Sequence, residues 1–432
     1  MHAIGLDLGT SGIRLALVDP DGERVYSAAR DLPESETDGD GIAEQDPAQW
    51  WTLVRELLRE AAEHLKGEPV AIAVDGTSAT LLFLDADGRP VRPAMMYNDA
   101  RATDMTAILA GVAPSGSAVH SPSSSAAKLL WVRRHESLSG VRRVLHQADW
   151  IAGRLRGRFD LMDENNALKL GYDALWQGWP DWLEDILTTD ANLLPEVVSP
   201  GTNLGPISPE MAQHLGLNPA SRVIAGTTDS IAGFLASGVE DDRTGVTSLG
   251  STMVIKQLSP EPVYAPELGI YSHHLFGQWL VGGASNSGGA VLRQHFDDAT
   301  LEHLSTQLDP ETDTGLDYLP LPRRGERFPV SDPELEPRLT PRPEDDARFL
   351  QGLFEGIARI ERDGYQRLTE LGAPRVERVI TLGGGAANPT WTRIRERILE
   401  IPVMTADNDD AAHGAARLAR IGMGLEAFSP SR

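Results

Sequence analysis

Apolar residues at the start of the chain occur in short runs that small and polar residues separate. Three such runs, Ala3–Leu8, Ile13–Val18 and Val25–Arg30, have the length of β-strands. The segment Asp19–Gly22 carries proline at its second position and glycine at its end, which is typical of a tight turn. The pattern therefore predicts a meander of three strands before any helix.

After Asp46 the apolar positions change to a helical period. Asp46 suits an N-cap, Pro47 suits the first helical position, and Gln49 completes the spacing of a capping box. Gly67 is typical of a helix end. The positions that recur at three- and four-residue intervals between these signals are Trp51, Val54, Leu57, Leu58, Ala61 and Leu65.

Strands and helices alternate along the rest of the chain, which favours the α/β class. The segment 317–343 has seven prolines in 27 residues, so we expect a surface connector without regular helix or sheet. The further predicted strands are Val70–Val74, Leu81–Leu84, Val223–Ala225 and Gly245–Leu249. The later predicted helices are Asp345–Leu371, Pro389–Glu400 and Asp410–Ile421.

Composition removes several classes of function. The 432 residues suggest two to four domains. A net charge of −24 argues against binding nucleic acid or anionic membranes, because both need clustered Lys and Arg. The absence of cysteine excludes disulfides and thiolate chemistry. Neither a signal peptide nor a membrane-spanning run is recognisable, so we expect a cytoplasmic protein.

Two short segments resemble each other at a distance of 241 residues. Asp7–Ser11 and Ser248–Thr252 each follow an apolar strand and place glycine before hydroxyl residues. Glycine lets backbone N–H groups approach a phosphate, and hydroxyls add donors. We interpret the pair as two halves that offer equivalent turns to one phosphate chain; a chance match, or a plain β-turn at each place, is the alternative. Asp7 is positioned to hold Mg²⁺, usually through water.

A glycine-rich loop follows the predicted strand Val379–Leu382. Gly383–Gly385 precedes a helix that begins at Pro389, and this order places a helix N-terminus against an anion or a nucleotide. Asn388 occupies the third glycine position of a dinucleotide fingerprint, and no acidic residue follows at the required distance, which argues against NAD. Trp391 is expected either to stack on an adenine or to lie in the core.

Asp229 lies just beyond a short predicted strand. A carboxylate there can accept a proton from a substrate hydroxyl, and the alternative is an N-cap for a helix that begins near Ile231. The segment Ser125–Lys128 matches the S-x-x-K pattern of serine acyl-transfer enzymes. The partner motifs S-D-N and K-T-G do not occur, so we exclude that class.

Taken together, these segments resemble the FGGY carbohydrate kinases of the actin-like ATPase superfamily. The segments that carry the resemblance are Ile4–Arg14, Ser123–His135, Gly226–Gly233, Ser248–Thr252 and Gly383–Trp391. The resemblance implies two ribonuclease-H-like domains of the α/β class, each with a mixed sheet flanked by helices, hinged around a cleft. Residues 1–236 would form the sugar-binding domain and 237–410 the ATP-binding domain, with helix 411–432 packing back on the first.

The resemblance also implies roles for individual residues. Asp229 would be the catalytic base, Ser78, Asp229 and Ser230 would contact the sugar, and Asp7 would position Mg²⁺. The residues implied for ATP binding are Thr10, Ser11, Gly250, Ser251, Gly383, Gly384, Gly385, Asn388 and Trp391.

The expected reaction is ATP-dependent phosphorylation of a ketopentose at a terminal hydroxyl. Asp75–Thr80, with its small hydroxyl residues, resembles the short xylulokinase-like proteins whose preferred substrate is D-ribulose, so we expect D-ribulose. Tyr97–Arg101 resembles the family's W-x-D-x-R segment with Tyr in place of Trp. The alternatives are a D-xylulokinase or other polyol kinase, and a regulatory or chaperone-like ATPase on the same fold. The expected partner is a small sugar, and the oligomeric state is left open, a homodimer included.

Overall fold

The computed structural model describes residues 1–37 and 41–429. Its strands are β1 (His2–Leu8), β2 (Gly12–Val18), β3 (Arg24–Asp31), β4 (Glu36–Thr37), β5 (Ala43–Gln45), β6 (Val70–Gly76), β7 (Leu81–Leu84), β8 (Ala94–Met95), β9 (Arg143–His146), β10 (Leu161–Asp163), β11 (Glu196–Val198), β12 (Asn203–Pro206), β13 (Arg222–Thr228), β14 (Thr244–Leu249), β15 (Met253–Ser259), β16 (His273–Leu275), β17 (Gln278–Ser285), β18 (Arg378–Leu382) and β19 (Val403–Thr405).

The helices alternate with these strands, as the sequence pattern predicts. They are α1 (Pro47–Leu65), α2 (Thr103–Val112), α3 (Ser125–His135), α4 (Gln147–Arg156), α5 (Glu164–Ala167), α6 (Asp181–Leu187), α7 (Pro209–Leu215), α8 (Asp229–Ala236), α9 (Gly289–Arg293), α10 (Asp298–Ser305), α11 (Asp346–Glu370), α12 (Pro389–Leu399) and α13 (Ala411–Gly422). Within the described ranges no helix is both long and apolar enough to span a bilayer.

The chain forms two compact units. The first contains Met1–Ala236, His274–Phe276 and Asp410–Phe428, and the second contains Ser237–His273 and Gly277–Asp409 together with Ser429. Residues 430–432, the end of the predicted segment 411–432, lie outside the described residues.

Helix α13 belongs to the first unit because two glycines let backbones touch. A Cβ atom on Gly5 of β1 would lie 1.9 Å from the carbonyl oxygen of Ala412. A Cβ atom on Gly414 would lie 1.8 Å from the carbonyl oxygen of Ala232 in α8. Any larger residue at either place would force α13 away from the sheet or from α8.

The main sheet of the first unit has the order β12-β13-β6-β1-β2-β3. β1 and β3 each run antiparallel to β2, which confirms the predicted meander, whereas β1, β6 and β13 run parallel to one another. Alternate residues of β1, namely Ile4, Leu6 and Leu8, join the same core cluster as the buried face of α1. Burial of one such side chain contributes roughly 1.5–3 kcal/mol to folding.

Helix α1 has the boundaries that its sequence signals predict. The carboxylate of Asp46 accepts a hydrogen bond from the Ala48 amide at 2.9 Å, and Pro47 occupies the first turn. The helix ends at Leu65, where Lys66 takes a left-handed conformation with φ of 51°. The last helical residue therefore lies two residues before the predicted Gly67, and Lys66 is the C-cap.

The second unit repeats the strand arrangement of the first. Its sheet contains the order β17-β15-β14-β18-β19, with two antiparallel pairs followed by two parallel pairs. This is the arrangement of β3-β2-β1-β6-β13. The two similar segments in the sequence connect β1 to β2 and β14 to β15, so their likeness corresponds to a structural repeat.

The proline-rich segment 317–343 is not only a surface connector. It has neither helix nor strand among the described elements, as predicted. However, Tyr318 and Phe328 are 2% and 1% exposed and belong to the core of the second unit. Proline prevents regular backbone hydrogen bonding, but it does not prevent aromatic side chains from packing.

Candidate active site

Strand register places acidic residues side by side at the carboxyl ends of the parallel strands in the first unit. Asp7 on β1 is aligned with Asp75 on β6 and with Arg14 on β2. Thr227 on β13 continues the row beside Asp75, and Asp229 follows two residues later as the first residue of α8. Ligand sites of α/β sheets lie at this end of parallel strands.

A β-bulge in β13 makes this alignment possible. Ile224 pairs with Ala73 and Thr227 pairs with Asp75, so β13 carries one residue more than β6 over this interval. Gly226 lies in the bulge, where a Cβ atom would be 1.7 Å from the carbonyl oxygen of Val74. Glycine at this position therefore lets the two strand ends meet.

Burial raises the pKa of both carboxyl groups in the pair Asp7 and Asp75. The pKa of fully buried Asp75 is well above its usual range because of desolvation, and the charges of Asp7 and Asp229 add to the effect. Desolvation also raises the pKa of Asp7, although hydrogen bonding to Asp75 and an ion pair with Arg14 at 3.0 Å oppose it. Among the described residues no N–H or hydroxyl donor reaches either oxygen of Asp75. The raised pKa therefore favours the protonated form of Asp75 beside Asp7.

The same pair fits a bound divalent cation. Neither carboxylate oxygen of Asp75 accepts a hydrogen bond from an N–H or hydroxyl donor of the described residues. Carboxylate oxygens are ligands that Mg²⁺ prefers. Asp410, the N-cap of α13, raises the pKa of both carboxyls through its charge and so adds to the negative potential. No cluster of three metal-ligating side chains occurs within residues 1–37 and 41–429.

Asp229 is partly exposed at the start of α8. One of its carboxylate oxygens accepts a hydrogen bond from the Ser230 amide at 2.6 Å, so it also stabilises the first turn. The helix begins at Asp229 itself rather than near Ile231. Ser230 is exposed. A carboxylate in this place is accessible to a substrate hydroxyl, and the catalytic role stays a prediction.

Hydrogen bonds from buried side chains fix the turn that contains Ser78. The Thr77 amide and hydroxyl donate to the Gln147 side-chain carbonyl at 3.0 and 2.9 Å. The hydroxyls of Thr77 and Thr80 are 2.6 Å apart. Ser78 is half-buried, and its side chain makes no hydrogen bond within the described part of the chain. Its hydroxyl is therefore available to a ligand.

Lys128 fixes the same turn from helix α3. Its buried ammonium donates to the carbonyl oxygens of Ala79 at 2.8 Å and Met96 at 2.6 Å. Ala79 has a left-handed conformation with φ of 69°, which is unusual for a residue other than glycine. Burial lowers the pKa of Lys128 from its usual 10.5 to about 7.

The S-x-x-K segment is structural. Ser125 is fully buried and hydrogen-bonds to His146 Nε2 at 2.6 Å. Burial lowers the pKa of His146 to about 3, so its ring is neutral. A buried serine with a buried partner cannot reach a substrate, which agrees with the exclusion of serine acyl transfer.

The Tyr97–Arg101 segment anchors the neighbouring sheet. Buried Asp99 accepts hydrogen bonds from the Ala43 amide at 2.9 Å and from Arg101. Arg101 also pairs with Glu44 at 2.7 Å. Tyr97, by contrast, is 44% exposed. The two charged residues of the segment are therefore structural, whereas the aromatic residue is accessible.

A separate cavity of about 810 Å³ lies within the second unit. The glycine loop after β18 and the turn after β14 both contribute to its wall. Of the predicted ATP-binding residues, those that line it are Gly250, Ser251, Gly384, Gly385, Asn388 and Trp391. Thr10 and Ser11 belong to the first unit, in the turn between β1 and β2.

Glycine is required at two places in the loop after β18. Gly383 lies outside the lining but has a left-handed φ of 82° and turns the chain beside Leu249. A Cβ atom on Gly385 would lie 2.6 Å from the Cβ of Leu249. These constraints let the loop approach the turn after β14 closely.

Asn388 and Trp391 have structural partners as well as a place in the cavity wall. Asn388 accepts from the Trp391 amide at 3.0 Å as the N-cap of α12 and donates to the Ser305 hydroxyl at 2.8 Å. Trp391 is 3% exposed and stacks on Phe354 with ring centroids 4.6 Å apart. Both of the alternatives considered for Trp391 therefore have support, and its contact with adenosine stays a prediction.

Several site residues were missed by sequence reasoning. Gln147 and Asp410 belong to none of the motifs, and Arg14 ends the segment Ile4–Arg14 without a predicted role of its own. Only the fold brings these three side chains to the end of the sheet. Asp75 ends an apolar strand just as Asp7 does, and this shared signal was available in the sequence. The cavity residues from α9 to the end of α10 also lacked a signal; they are Leu292, Arg293, Asp298, Leu301, Glu302, Ser305 and Thr306.

Comparison with known proteins decides the family. Residues 2–236 match the N-terminal domain, and residues 245–423 the C-terminal domain, of the FGGY family of carbohydrate kinases. The chain belongs to this family. Membership confirms the two-domain α/β fold and the ATP-dependent carbohydrate kinase activity that the resemblance implies.

Relatives of this FGGY kinase align along nearly its whole length. It is 27% identical to the xylulose kinase of Escherichia coli (strain K12), covering 97% of this chain and 89% of the relative. It is 28% identical to the xylulose kinase of Klebsiella pneumoniae, covering 99% and 91%. A solved structure described as a xyloylose kinase from Brucella ovis has a TM-score of 0.89 and 26% identity, covering 100% and 93%.

Replacing Gly384 with valine tests the nucleotide cavity. A Cβ atom at this lining residue meets no protein atom within 4 Å, so the substitution fills cavity space without straining the fold. We expect the affinity for ATP, measured by calorimetry, to fall about 5–150-fold, the equivalent of 1–3 kcal/mol of overpacking. Sugar affinity and the melting temperature should stay unchanged.

Gly116→Val is the matched control, because its Cβ atom also meets nothing within 4 Å and lies far from the cavity in sequence and unit. Unchanged ATP affinity in Gly384→Val would remove this cavity as the nucleotide site.

Replacing Lys128 with methionine tests the support of the Ser78 turn. Two carbonyl oxygens lose their donor, which should lower the free energy of unfolding by about 1–3 kcal/mol. The KM for sugar should rise more than the KM for ATP, with exposed Lys66→Met as control. An equal rise of both constants would contradict a role confined to this turn.

The same variant has a pH signature. The pKa of Lys128 is about 7 in the folded chain and 10.5 without burial, so the folded chain releases this proton first as the pH rises. The free energy of unfolding of the unmodified protein, relative to Lys128→Met, should therefore rise between pH 7 and about pH 10. Denaturant titrations at a series of pH values measure it, and a flat difference would contradict the shift.

Proposed function

We propose that this FGGY kinase transfers the γ-phosphoryl group of ATP to a terminal hydroxyl of a ketopentose, with D-xylulose as the first candidate. The observation that carries the proposal is the partly exposed carboxylate of Asp229 beside the buried pair Asp7–Asp75, in a chain whose full-length relatives include xylulose kinases. The relatives favour D-xylulose over the D-ribulose that the segment Asp75–Thr80 led us to expect.

Asp229 would act as the general base. Its carboxylate takes the proton of the attacking hydroxyl, whose oxygen forms a bond to the γ-phosphorus while the bond to the bridging oxygen breaks and ADP leaves. The proton of the substrate hydroxyl therefore passes directly to the Asp229 carboxylate during phosphoryl transfer.

The carboxyl pair would bind the Mg²⁺ ion whose positive charge phosphoryl transfer needs. Asp7 and Asp75, whose raised pKa values show that two charges are unfavourable there without a cation, would bind Mg²⁺, and the ion would neutralise the phosphate charge. Arg14, which pairs with Asp7 at 3.0 Å, would keep Asp7 in the orientation that faces this position.

The remaining predicted residues would hold the nucleotide. Thr10 and Ser11 in the first unit, and Gly250 and Ser251 in the second, would contact phosphates through amides and hydroxyls. The loop 383–388 and Trp391 would contact adenosine, because Gly384, Gly385, Asn388 and Trp391 line the 810 Å³ cavity, whose size suits a nucleotide.

D-Ribulose is the second candidate. The two ketopentoses differ in configuration at C3 alone, so discrimination depends on hydrogen bonds to that hydroxyl. The Ser78 hydroxyl, on a turn fixed by Gln147 and Lys128, is a rigid donor and acceptor of the required kind. Because of this hydroxyl, D-ribulose stays a candidate substrate beside D-xylulose, the sugar in the names of the relatives.

Asp229→Asn tests the base. The amide keeps the size of the side chain and can still accept from the Ser230 amide, but it cannot take a proton. Phosphorylation should fall about 10²–10⁴-fold, with ATP binding unchanged in calorimetry. Turnover near that of the unmodified enzyme would remove Asp229 from this role.

Sugar preference is tested by kcat/KM for D-xylulose, D-ribulose, glycerol and ribitol. We expect D-xylulose to exceed D-ribulose by about 5–150-fold, because the wrong epimer leaves a buried polar group unpaired at 1–3 kcal/mol. Ser78→Ala should narrow the gap, whereas half-buried Ser117→Ala should not. A preference for D-ribulose would select the second candidate, and ADP release that no sugar stimulates would indicate an ATPase instead.

A further inference from the structure

The first unit contains a pocket that shares no residue with the predicted sugar and ATP sites and is separate from the 810 Å³ cavity of the second unit. It has a volume of about 560 Å³ and lies between the start of α1, the segment 90–93 and helix α4. Two tryptophans, Trp51 and Trp150, form part of its wall and are 6% and 1% exposed. Two arginines, Arg55 from α1 and Arg154 from α4, also line it.

Arg154 is held in this pocket by aromatic rings. Its guanidinium carbon lies 4.7 Å from the centroid of Trp51 and 5.5 Å from that of Trp150, within the range of cation–π attraction. No carboxylate of the described residues pairs with it. Burial lowers the pKa of Arg154, and the positive charges of Arg55 and Arg89 lower it further. The guanidinium therefore lies in a field of like charge.

Arg55 lies in the same field without a counter-charge. Among residues 1–37 and 41–429 it makes neither an ion pair nor a hydrogen bond, and its Nε atom is buried and without an acceptor. Cation–π packing explains why Arg154 lies on the tryptophans, but it does not explain a second unpaired guanidinium beside it. A buried N–H donor without a partner is destabilising, so an acceptor at this place would stabilise the arrangement.

The other charged residues of the pocket are already neutralised or engaged. Arg92 pairs with Glu44 and Glu136, each at 2.7 Å. Asp46 uses a carboxylate oxygen to cap α1 through the Ala48 amide at 2.9 Å. Asp46 keeps its negative charge, so the lining holds three guanidiniums against one carboxylate in a chain whose net charge is −24.

We propose that this pocket binds a small organic phosphate, whose phosphate monoester lies between Arg55 and Arg154. A monoester carries about −1.5 to −2 charges at pH 7, which matches two guanidiniums, whereas a monocarboxylate would leave one unpaired. The planar fork of arginine suits phosphate oxygens in pairs of hydrogen bonds. A cavity of 560 Å³ has room for a sugar-sized body against the exposed side chains of Thr52 and Val91.

Calorimetric titration of the full chain with D-ribose 5-phosphate, inorganic phosphate and D-ribose tests the proposal. We expect D-ribose 5-phosphate to bind most tightly and D-ribose not to bind at this pocket. Arg55→Gln and Arg154→Gln should each weaken D-ribose 5-phosphate about tenfold or more, since each removes charge-assisted hydrogen bonds. Arg59→Gln, an exposed arginine one turn further along α1 that does not line the pocket, should bind as the unmodified protein does.

A surface variant of the pocket wall keeps the proposal testable if the arginine variants misfold. Val91 is 48% exposed in the pocket wall, so Val91→Glu adds a negative charge without disturbing the core. It should weaken D-ribose 5-phosphate to a similar extent, with an unchanged melting temperature. Kinase kcat and KM should stay unchanged in all four variants, which separates this pocket from the kinase site.

Three results would overturn the proposal. The first is no binding of D-ribose 5-phosphate at millimolar concentration, and the second is equal affinity in the unmodified protein, Arg55→Gln and Val91→Glu. The third is inorganic phosphate binding as tightly as D-ribose 5-phosphate, since the pocket would then hold an adventitious ion only.

Discussion

Two carboxyl groups held side by side at the ends of β1 and β6 are the constraint on which the first unit depends. Parallel pairing in register puts Asp7 and Asp75 next to each other, and burial removes the water that would otherwise separate their charges. Two buried carboxylates repel strongly, so the arrangement is stable with a shared proton or with a bound cation. The bulge at Gly226, the ion pair with Arg14 and the close packing of α13 at Gly5 all hold this pair at the mouth of the sheet.

The second unit uses the same strand arrangement without that pair. Ser248 occupies the place of Asp7 at an offset of 241 residues, and its neighbour on β18 is Leu382. One residue further back, Thr247 and Thr381 bind Glu361 and Arg395, whose ion pair is buried in the core. The aligned strand ends here carry Ser248 and Leu382 instead of a carboxyl pair. The nearby cavity is lined by glycine, apolar and polar side chains, among them Arg293, Asp298 and Glu302. The same strand arrangement thus carries aligned carboxyl groups at its strand ends in one unit and hydroxyl and apolar residues in the other.

Local sequence signals predicted the elements well, because caps, turns and apolar periods act over a few residues. The meander, the boundaries of α1 and the two equivalent turns are of this kind. The row from Arg14 through Asp7 and Asp75 to Thr227 is not, because strand order and register join segments that lie far apart in sequence. The same reason explains why the α9–α10 wall of the 810 Å³ cavity was missed, and why Phe328 in a proline-rich segment proved to be core.

Substrate choice depends on residues that do not themselves have to touch the substrate. A sugar epimer is distinguished by the position of one hydroxyl, so the protein group that meets it must be fixed to within a fraction of an ångström. Ser78 lies on a turn whose shape is set by the buried side chains of Lys128 and Gln147 and by the left-handed backbone at Ala79. A relative can have serine at the position of Ser78 without the residues that fix the turn. It can equally have those residues and a different side chain at the position of Ser78. The fold and the phosphoryl-transfer residues can therefore be shared by a whole family while the preferred sugar differs between its members.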